Sequence, residues 1–316
     1  MPKRPRCARC GRSASYTPSW APKLSLCEEH FIEAFRKRVE KALDKGLRRV
    51  EIRRVLVGVS GGKDSVALLD VLAWYSSRRG FEVIGAYIDL GIPGYSKHSM
   101  RVAVDAFNTI GVDYVVVEAR EVLGVDTRLA HEAFTERVVS RPTCSVCGMI
   151  KRRILETLAK NLGADAIATG HTFDDVFSFT LQNLASGYRE TFAVVERGSG
   201  LMRLKPLLVV RESDTLAYVE ARRLPFTETP CPYKPSRSVT AWYKYVGGLL
   251  GSLNPGLASS LAGIRYEARK AEVRGRCVYC GSVTAERVCS TCRTVSQILR
   301  WLVENQGYHS TAGERH

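Results

Sequence analysis

Along the middle of the chain, apolar and polar positions follow two alternating patterns. Short apolar runs rich in β-branched residues fall at 55–59, 83–88, 114–118 and 165–169, and each predicts a strand. Longer stretches at 66–77, 98–110, about 121–139, 149–161 and 174–185 predict helices. Strands alternating with helices predict an α/β fold, a doubly wound parallel sheet with helices on both faces. Such sheets bind ligands beyond the carboxyl ends of their strands. Four segments follow those ends: Ser60–Ser65, Asp89–Tyr95, Gly170–Asp175 and, in a longer connection, Cys144–Lys151. The candidate chemistry therefore gathers on one rim.

Composition bounds the partners. The 316 residues are 45% apolar, enough for a sizeable core, and no run of 18 apolar residues exists to span a membrane. The basic N-terminus lacks the apolar stretch of a signal peptide, so a cytoplasmic location is expected. The net charge of +15 is uneven. Residues 1–54 carry 15 Lys and Arg against 6 Asp and Glu, and residues 265–316 carry 9 against 5. Basic flanks around a nearly neutral middle suggest a polyanion such as nucleic acid; a solvated surface is the plainer reading. Asn and Gln total only 8, which points to a thermophile.

Ser60-Gly61-Gly62-Lys63-Asp64-Ser65 follows the first predicted strand directly. Two glycines allow a tight turn and bring backbone N–H groups near an anion, and the helix that follows offers its positive end. The spacing is not that of a Walker loop, because Gly58 stands too close to Gly62 and Asp64 follows Lys63. The hexapeptide resembles the pyrophosphate loop of the PP-loop ATPases, which implies cleavage of ATP between its α and β phosphates. A bare glycine turn is the alternative.

The ten cysteines form three groups. Cys7, Cys10, Cys27 and His30 make one pair of knuckles, and Cys277, Cys280, Cys289 and Cys292 make another. Each set supplies the four donors that tetrahedral zinc requires, so two closed structural Zn²⁺ sites are expected rather than disulfides. Cys144, Cys147 and Cys231 remain. Three thiols fit a third zinc lacking one ligand, a redox pair with an extra cysteine, an iron–sulfur cluster with one open iron, or buried apolar cysteines, and spacing does not choose.

Gly170-His171-Thr172-Phe173-Asp174-Asp175 follows the fourth predicted strand. Its two carboxylates could hold Mg²⁺ or polarise a substrate; either could instead serve the helix terminus. Lys151, beside Arg152 and Arg153, either lines the site or belongs to a solvated helix face.

These motifs, with Asp89–Lys97 and in this order, resemble the tRNA 2-thiouridine synthetases of the TtuA type over nearly the whole chain. The resemblance implies an adenine nucleotide α-hydrolase-like sheet flanked by zinc knuckles. On that basis the chain divides into an N-terminal zinc finger (1–34), a basic linker helix (35–54), a PP-loop catalytic domain with the iron–sulfur site (55–272), and a C-terminal zinc finger with a helix (273–316). It further implies that Cys144, Cys147 and Cys231 hold a 4Fe-4S cluster. Ser60, Gly61, Gly62, Lys63, Asp64, Ser65, Ile88, Gly170, His171 and Asp175 would bind ATP, with Mg²⁺, and Lys151 and Asp175 would be catalytic. The implied reaction adenylates the C2 oxygen of a tRNA uridine and replaces it with sulfur. The T-loop uridine is favoured over the wobble uridine. The zinc knuckles and the stretch Arg36–Arg54 would grip tRNA. A ubiquitin-like sulfur carrier with a C-terminal thiocarboxylate, or free sulfide, would donate sulfur, and the protein would be a homodimer. An ATP-dependent amide or lysidine synthetase explains the loop but leaves three cysteines idle. A non-enzymatic zinc protein that binds RNA explains only the flanks.

Overall fold

The computed structural model describes residues 5–48, 50–185, 193–197, 201–235, 239–254, 256–261 and 275–311. Six strands build its main sheet: β1 (Arg54–Gly58), β2 (Glu82–Asp89), β3 (Asp113–Glu118), β4 (Ala166–Thr169), β5 (Val195–Arg197) and β6 (Met202–Leu204). Their order is β3-β2-β1-β4-β6-β5, parallel throughout except for β5, which runs antiparallel to β6. The chain winds outward from β1 to β3, then returns to place β4 on the other side of β1. The strand order reverses its march between β1 and β4, and crevices at such points receive ligands.

Period-two alternation sends strand residues into two cores. Val55, Val57 and Val59 join one cluster, and Leu56 joins the other, so both faces are covered. The first cluster is closed by α1 (Glu28–Gly46), α2 (Lys63–Arg79), α3 (Ser96–Ile110), α7 (Phe173–Ala185), the 3-10 turn Pro206–Val209 and α8 (Glu212–Ala221). The second is closed by α4 (Ala119–Leu123), α5 (Thr127–Thr135), α6 (Thr143–Asn161) and α11 (Ser290–Thr311). α9 (Val239–Leu253) packs on α7, and α10 (Leu257–Leu261) packs on α9. β7 (Gly275–Arg276) and β8 (Val283–Thr284) form a small ribbon in the C-terminal knuckle.

Three expectations change. The helix expected over 121–139 is two helices, because Gly124 turns left-handed at φ +73 and Asp126 caps a new start by accepting the Leu129 N–H at 2.8 Å. The helix expected from 149 begins at Thr143, so the Cys144–Cys147 pair lies in its first two turns. The basic segment 35–54 is no separate linker helix: α1 runs unbroken across residue 34 and buries Phe31, Phe35, Val39 and Leu43 in the main core. The boundary at 272/273 and residues 312–316 of the C-terminal segment lie outside the described residues. Among the described residues, no helix is long and apolar enough to cross a membrane.

Candidate active site

β1 ends at Gly58 and α2 starts at Lys63, which leaves a short turn between a buried strand and a helix N-terminus. The turn is held from within. Ser65 Oγ donates to the Gly62 carbonyl at 2.8 Å and receives the Ser60 N–H at 3.1 Å. Gly61 adopts φ +81, and a Cβ there would stand 2.7 Å from the Ser99 carbonyl oxygen, so only glycine fits. The first N–H groups of α2 have no intrahelical acceptor and border this cradle. Lys63 Nζ pairs with the Asp64 carboxylate at 2.8 Å, and Asp64 also accepts the Thr215 hydroxyl.

The β4 turn presses against this loop. A Cβ on Gly170 would meet Asp64 and Ser65 backbone atoms at 3.0 Å. His171 Nδ1 lies 2.8 Å from Thr169 Oγ1. Burial first, then the Lys205 and Lys151 charges, hold the imidazole below its usual value of 6.5, with Asp175 opposing. The two aspartates have different surroundings. Asp174 is buried and accepts Arg211 Nη2 at 2.7 Å and the Glu212 N–H at 2.9 Å, so it ties α7 to the start of α8. That engagement removes Asp174 from metal binding. Asp175 accepts the Thr172 N–H at 3.1 Å and pairs with Lys244 Nζ at 2.6 Å. Burial alone would raise its carboxyl, but Lys244 and the Thr172 N–H outweigh that and hold it below the usual carboxylate range. Lys244, on α9, belongs to no motif of the sequence; no local signal could have found it.

The cysteines of the third group meet at the same rim. Cys144 and Cys147 stand one turn apart on α6, and Cys144 Sγ contacts the Tyr233 carbonyl at 3.6 Å, two residues beyond Cys231. Burial, then the nearby Cys147 and Cys231 thiols, push the Cys144 thiol up, and Lys151 and Lys234 pull it down. Lys151 is exposed on α6 one turn beyond Cys147, and its charge acts on both Cys144 and His171. His131 was not a sequence candidate. Its ring stacks on Tyr233 at 4.2 Å, and its Nδ1 lies 3.1 Å from Thr143 Oγ1, so it links both cysteine-bearing segments. The extended segment 226–231 also touches the phosphate loop, through the Thr227 N–H to the Gly61 carbonyl at 2.9 Å. His98 lies 3.0 Å from the Thr227 hydroxyl. Ile88 packs in the second core near the end of β2. Asp89 accepts the Gly91 N–H at 2.9 Å and shapes the next loop.

Donor chemistry separates the three cysteine groups. Among the described residues, Cys7, Cys10, Cys27 and His30 form one set with all donor atoms within 4.8 Å, and Cys277, Cys280, Cys289 and Cys292 form the other. Both fit zinc knuckles. The Cys289 N–H points to Cys277 Sγ at 3.3 Å, and such donors draw the Cys277 thiol down to about 6, toward the thiolate a metal needs. Among the described residues, Cys144, Cys147 and Cys231 form no such tight set and gain no fourth donor, which disfavours a third zinc. Three free thiols outside any such tight set suit a larger cluster.

Residues 33–236 match the PP-loop domain family. A relative from Thermus thermophilus, named tRNA-5-methyluridine(54) 2-sulfurtransferase, is 31% identical over 93% of this chain and 92% of its own length. The chain belongs to the PP-loop tRNA 2-sulfurtransferases. Another sulfurtransferase of that name, from Pyrococcus horikoshii, is 36% identical over 72% of this chain and 71% of its own. The solved U34-tRNA thiolase NcsA from Methanococcus maripaludis, with its [4Fe-4S] cluster, superposes with a TM-score of 0.74. It shares 26% identity over 92% of this sulfurtransferase and 95% of that chain.

Part of the basic stretch 36–54 of this sulfurtransferase is engaged within the fold, while Lys41, Lys45 and Arg53 stay exposed. Arg36 binds Asp70 at 3.0 Å, Arg38 donates to the Val209 carbonyl at 2.6 Å, and Arg54 binds Glu82 at 2.5 Å.

Proposed function

We propose that this sulfurtransferase thiolates the T-loop uridine of tRNA at the expense of ATP. The observation that carries the reading is the meeting of three cysteines and Lys151 with a pyrophosphate loop at the β1/β4 crevice. The relatives above 30% identity support position 54. The structural neighbour, a U34-tRNA thiolase, keeps wobble thiolation as the second reading.

The residues divide the work. The Ser60–Ser65 loop and the α2 N-terminus hold the ATP phosphates, and Lys63 offsets charge developing on departing pyrophosphate. Mg²⁺ accompanies the nucleotide. Once AMP sits on the uridine C2 oxygen, that oxygen becomes a good leaving group and sulfur can attack C2. Cys144, Cys147 and Cys231 would hold a 4Fe-4S cluster, which supplies, when bound, an iron with a free position for sulfur. Lys151 stabilises negative charge at C2. Asp175, kept ionised by Lys244, is a weak base and suits orienting the uridine better than taking its proton. The two knuckles hold zinc and brace the ends of the fold.

The same proposal covers partners and setting. Sulfur comes from a ubiquitin-like thiocarboxylate carrier or from sulfide. A Drosophila relative is named cytoplasmic tRNA 2-thiolation protein 1, which supports a cytoplasmic site of action. The scarcity of Asn and Gln supports a thermophilic setting. A homodimer is supported by the exposed apolar stripe Trp242, Tyr245, Val246, Leu249 and Leu253 on α9.

The test is anaerobic turnover of tRNA with ATP and sulfide, followed by mass mapping of the modified nucleotide. Sulfur at C2 of position 54 is expected. Sulfur at position 34 would transfer the reading to the wobble uridine, and absence of tRNA thiolation would overturn it.

A further inference from the structure

Below the rim, α6 borders a cleft of about 610 Å³ closed by β6 and the C-terminal knuckle. Arg152, Arg153, Lys160, Arg203 and Arg276 line it, against the single carboxylate Glu156. Arg203 and Arg153 share Glu156. Arg153 also bonds Ser282 Oγ and approaches Cys289 Sγ at 3.6 Å, while its Nε is buried without a hydrogen-bond partner. Arg152 and Lys160 are exposed and have no polar partner among the described residues. Ser290 and Thr291 open α11 at the cleft, so the positive end of a helix dipole adds to the field.

Three of the five cations, Arg152, Arg153 and Lys160, are spread along α6, and Arg203 and Arg276 face them from β6 and β7. From Met149 to Lys160, the cleft follows α6 for about 17 Å at 1.5 Å per residue. Its upper end lies two residues from Cys147 and from Lys151. An elongated basic trough that starts at the reaction rim matches a chain of phosphates better than a single small anion.

We infer that the cleft between α6, β6 and the C-terminal knuckle binds the ribose–phosphate backbone of the RNA substrate, with Arg152 and Lys160 contacting phosphates directly. This rests on RNA being the substrate. Through Arg153, the knuckle then also sets one wall of the trough against the helix that carries Cys144 and Cys147.

Binding of an unmodified tRNA transcript to the full, zinc-loaded protein tests this, measured at about 50 and about 200 mM salt. Arg152→Gln/Lys160→Gln is compared with Lys41→Gln/Lys45→Gln on α1, and zinc content and melting temperature confirm that each variant is folded. The cleft variant is expected to lose about tenfold in affinity, with a salt slope reduced by about two. Wild-type affinity and slope in that variant, or losses that follow Lys41 and Lys45 instead, would overturn the inference. So would inorganic phosphate binding lost in the cleft variant while tRNA affinity is unchanged, the mark of a small-anion site. A wild type that binds no tRNA removes the functional reading itself; a wild type that binds beside an unaffected cleft variant removes only the cleft.

Discussion

Asp174 and Asp175 are adjacent carboxylates with opposite duties. Asp174 is sealed beneath Arg211 and the Glu212 N–H, whereas Asp175 faces Lys244 at the crevice. Asp174→Asn should lower stability by about 3 kcal/mol, because it leaves the half-buried guanidinium of Arg211 poorly compensated and removes a buried carboxylate that ties α7 to α8. Asp175→Asn should lower kcat at least tenfold with a smaller loss of melting temperature. Paired thermal melts and turnover measurements check this, and equal effects on both properties would merge the roles. His171 sets a pH limit. Its folded value lies below the unfolded 6.5, so folding favours the neutral ring. That contribution is complete above 6.5 and is lost as pH falls from there through the depressed value. Melts across that range should show wild type losing more stability on acidification than His171→Gln. The paired aspartates, the glycine loop and the cysteine sets were legible because their chemistry is written in local spacing. Lys244 and His131 were not, since each acts through a partner 69 or 102 residues away in sequence.

At the level of elements, two helices carry more than their periodicity suggested. α6 begins at Thr143, directly after Pro142, and so presents Cys144, Cys147 and Lys151 on successive turns. A proline just before a helix was the available signal. α1 follows directly on Cys27 of the first knuckle and packs on α2, α8 and the 3-10 turn. Its Phe35 is fully buried and stacks on Tyr218 at 4.2 Å. Phe35→Ala should cost about 3–5 kcal/mol by emptying that joint, read as a shift in the denaturant midpoint. Strands β5 and β6 gave no signal in the sequence because three residues are too few to show a period. The single helix expected over 121–139 failed because the apolar pattern runs on past Gly124 while the backbone does not.

Over the whole molecule, the sheet order brings the phosphate loop and the β4 turn together, a convergence readable from strand alternation, whereas Cys231 joined Cys144 and Cys147 only through the family resemblance. The distribution of charge was not readable, because sequence does not show that Arg36, Arg38 and Arg54 have internal partners. The apolar α9 stripe gives the assembly its own test. Trp242→Glu with Leu249→Glu should convert a dimer to a monomer in analytical ultracentrifugation; a monomeric wild type would refute the dimer. The central claim is that an oxygen of tRNA uridine is exchanged for sulfur at a cluster-bearing PP-loop site. Its most direct test is anaerobic preparation of wild type and Cys144→Ser, with iron counted and thiouridine measured on the same samples. The account predicts about four irons per chain and ATP-dependent thiouridine in wild type, with both lost in Cys144→Ser. Full thiolation by an iron-free protein would contradict it.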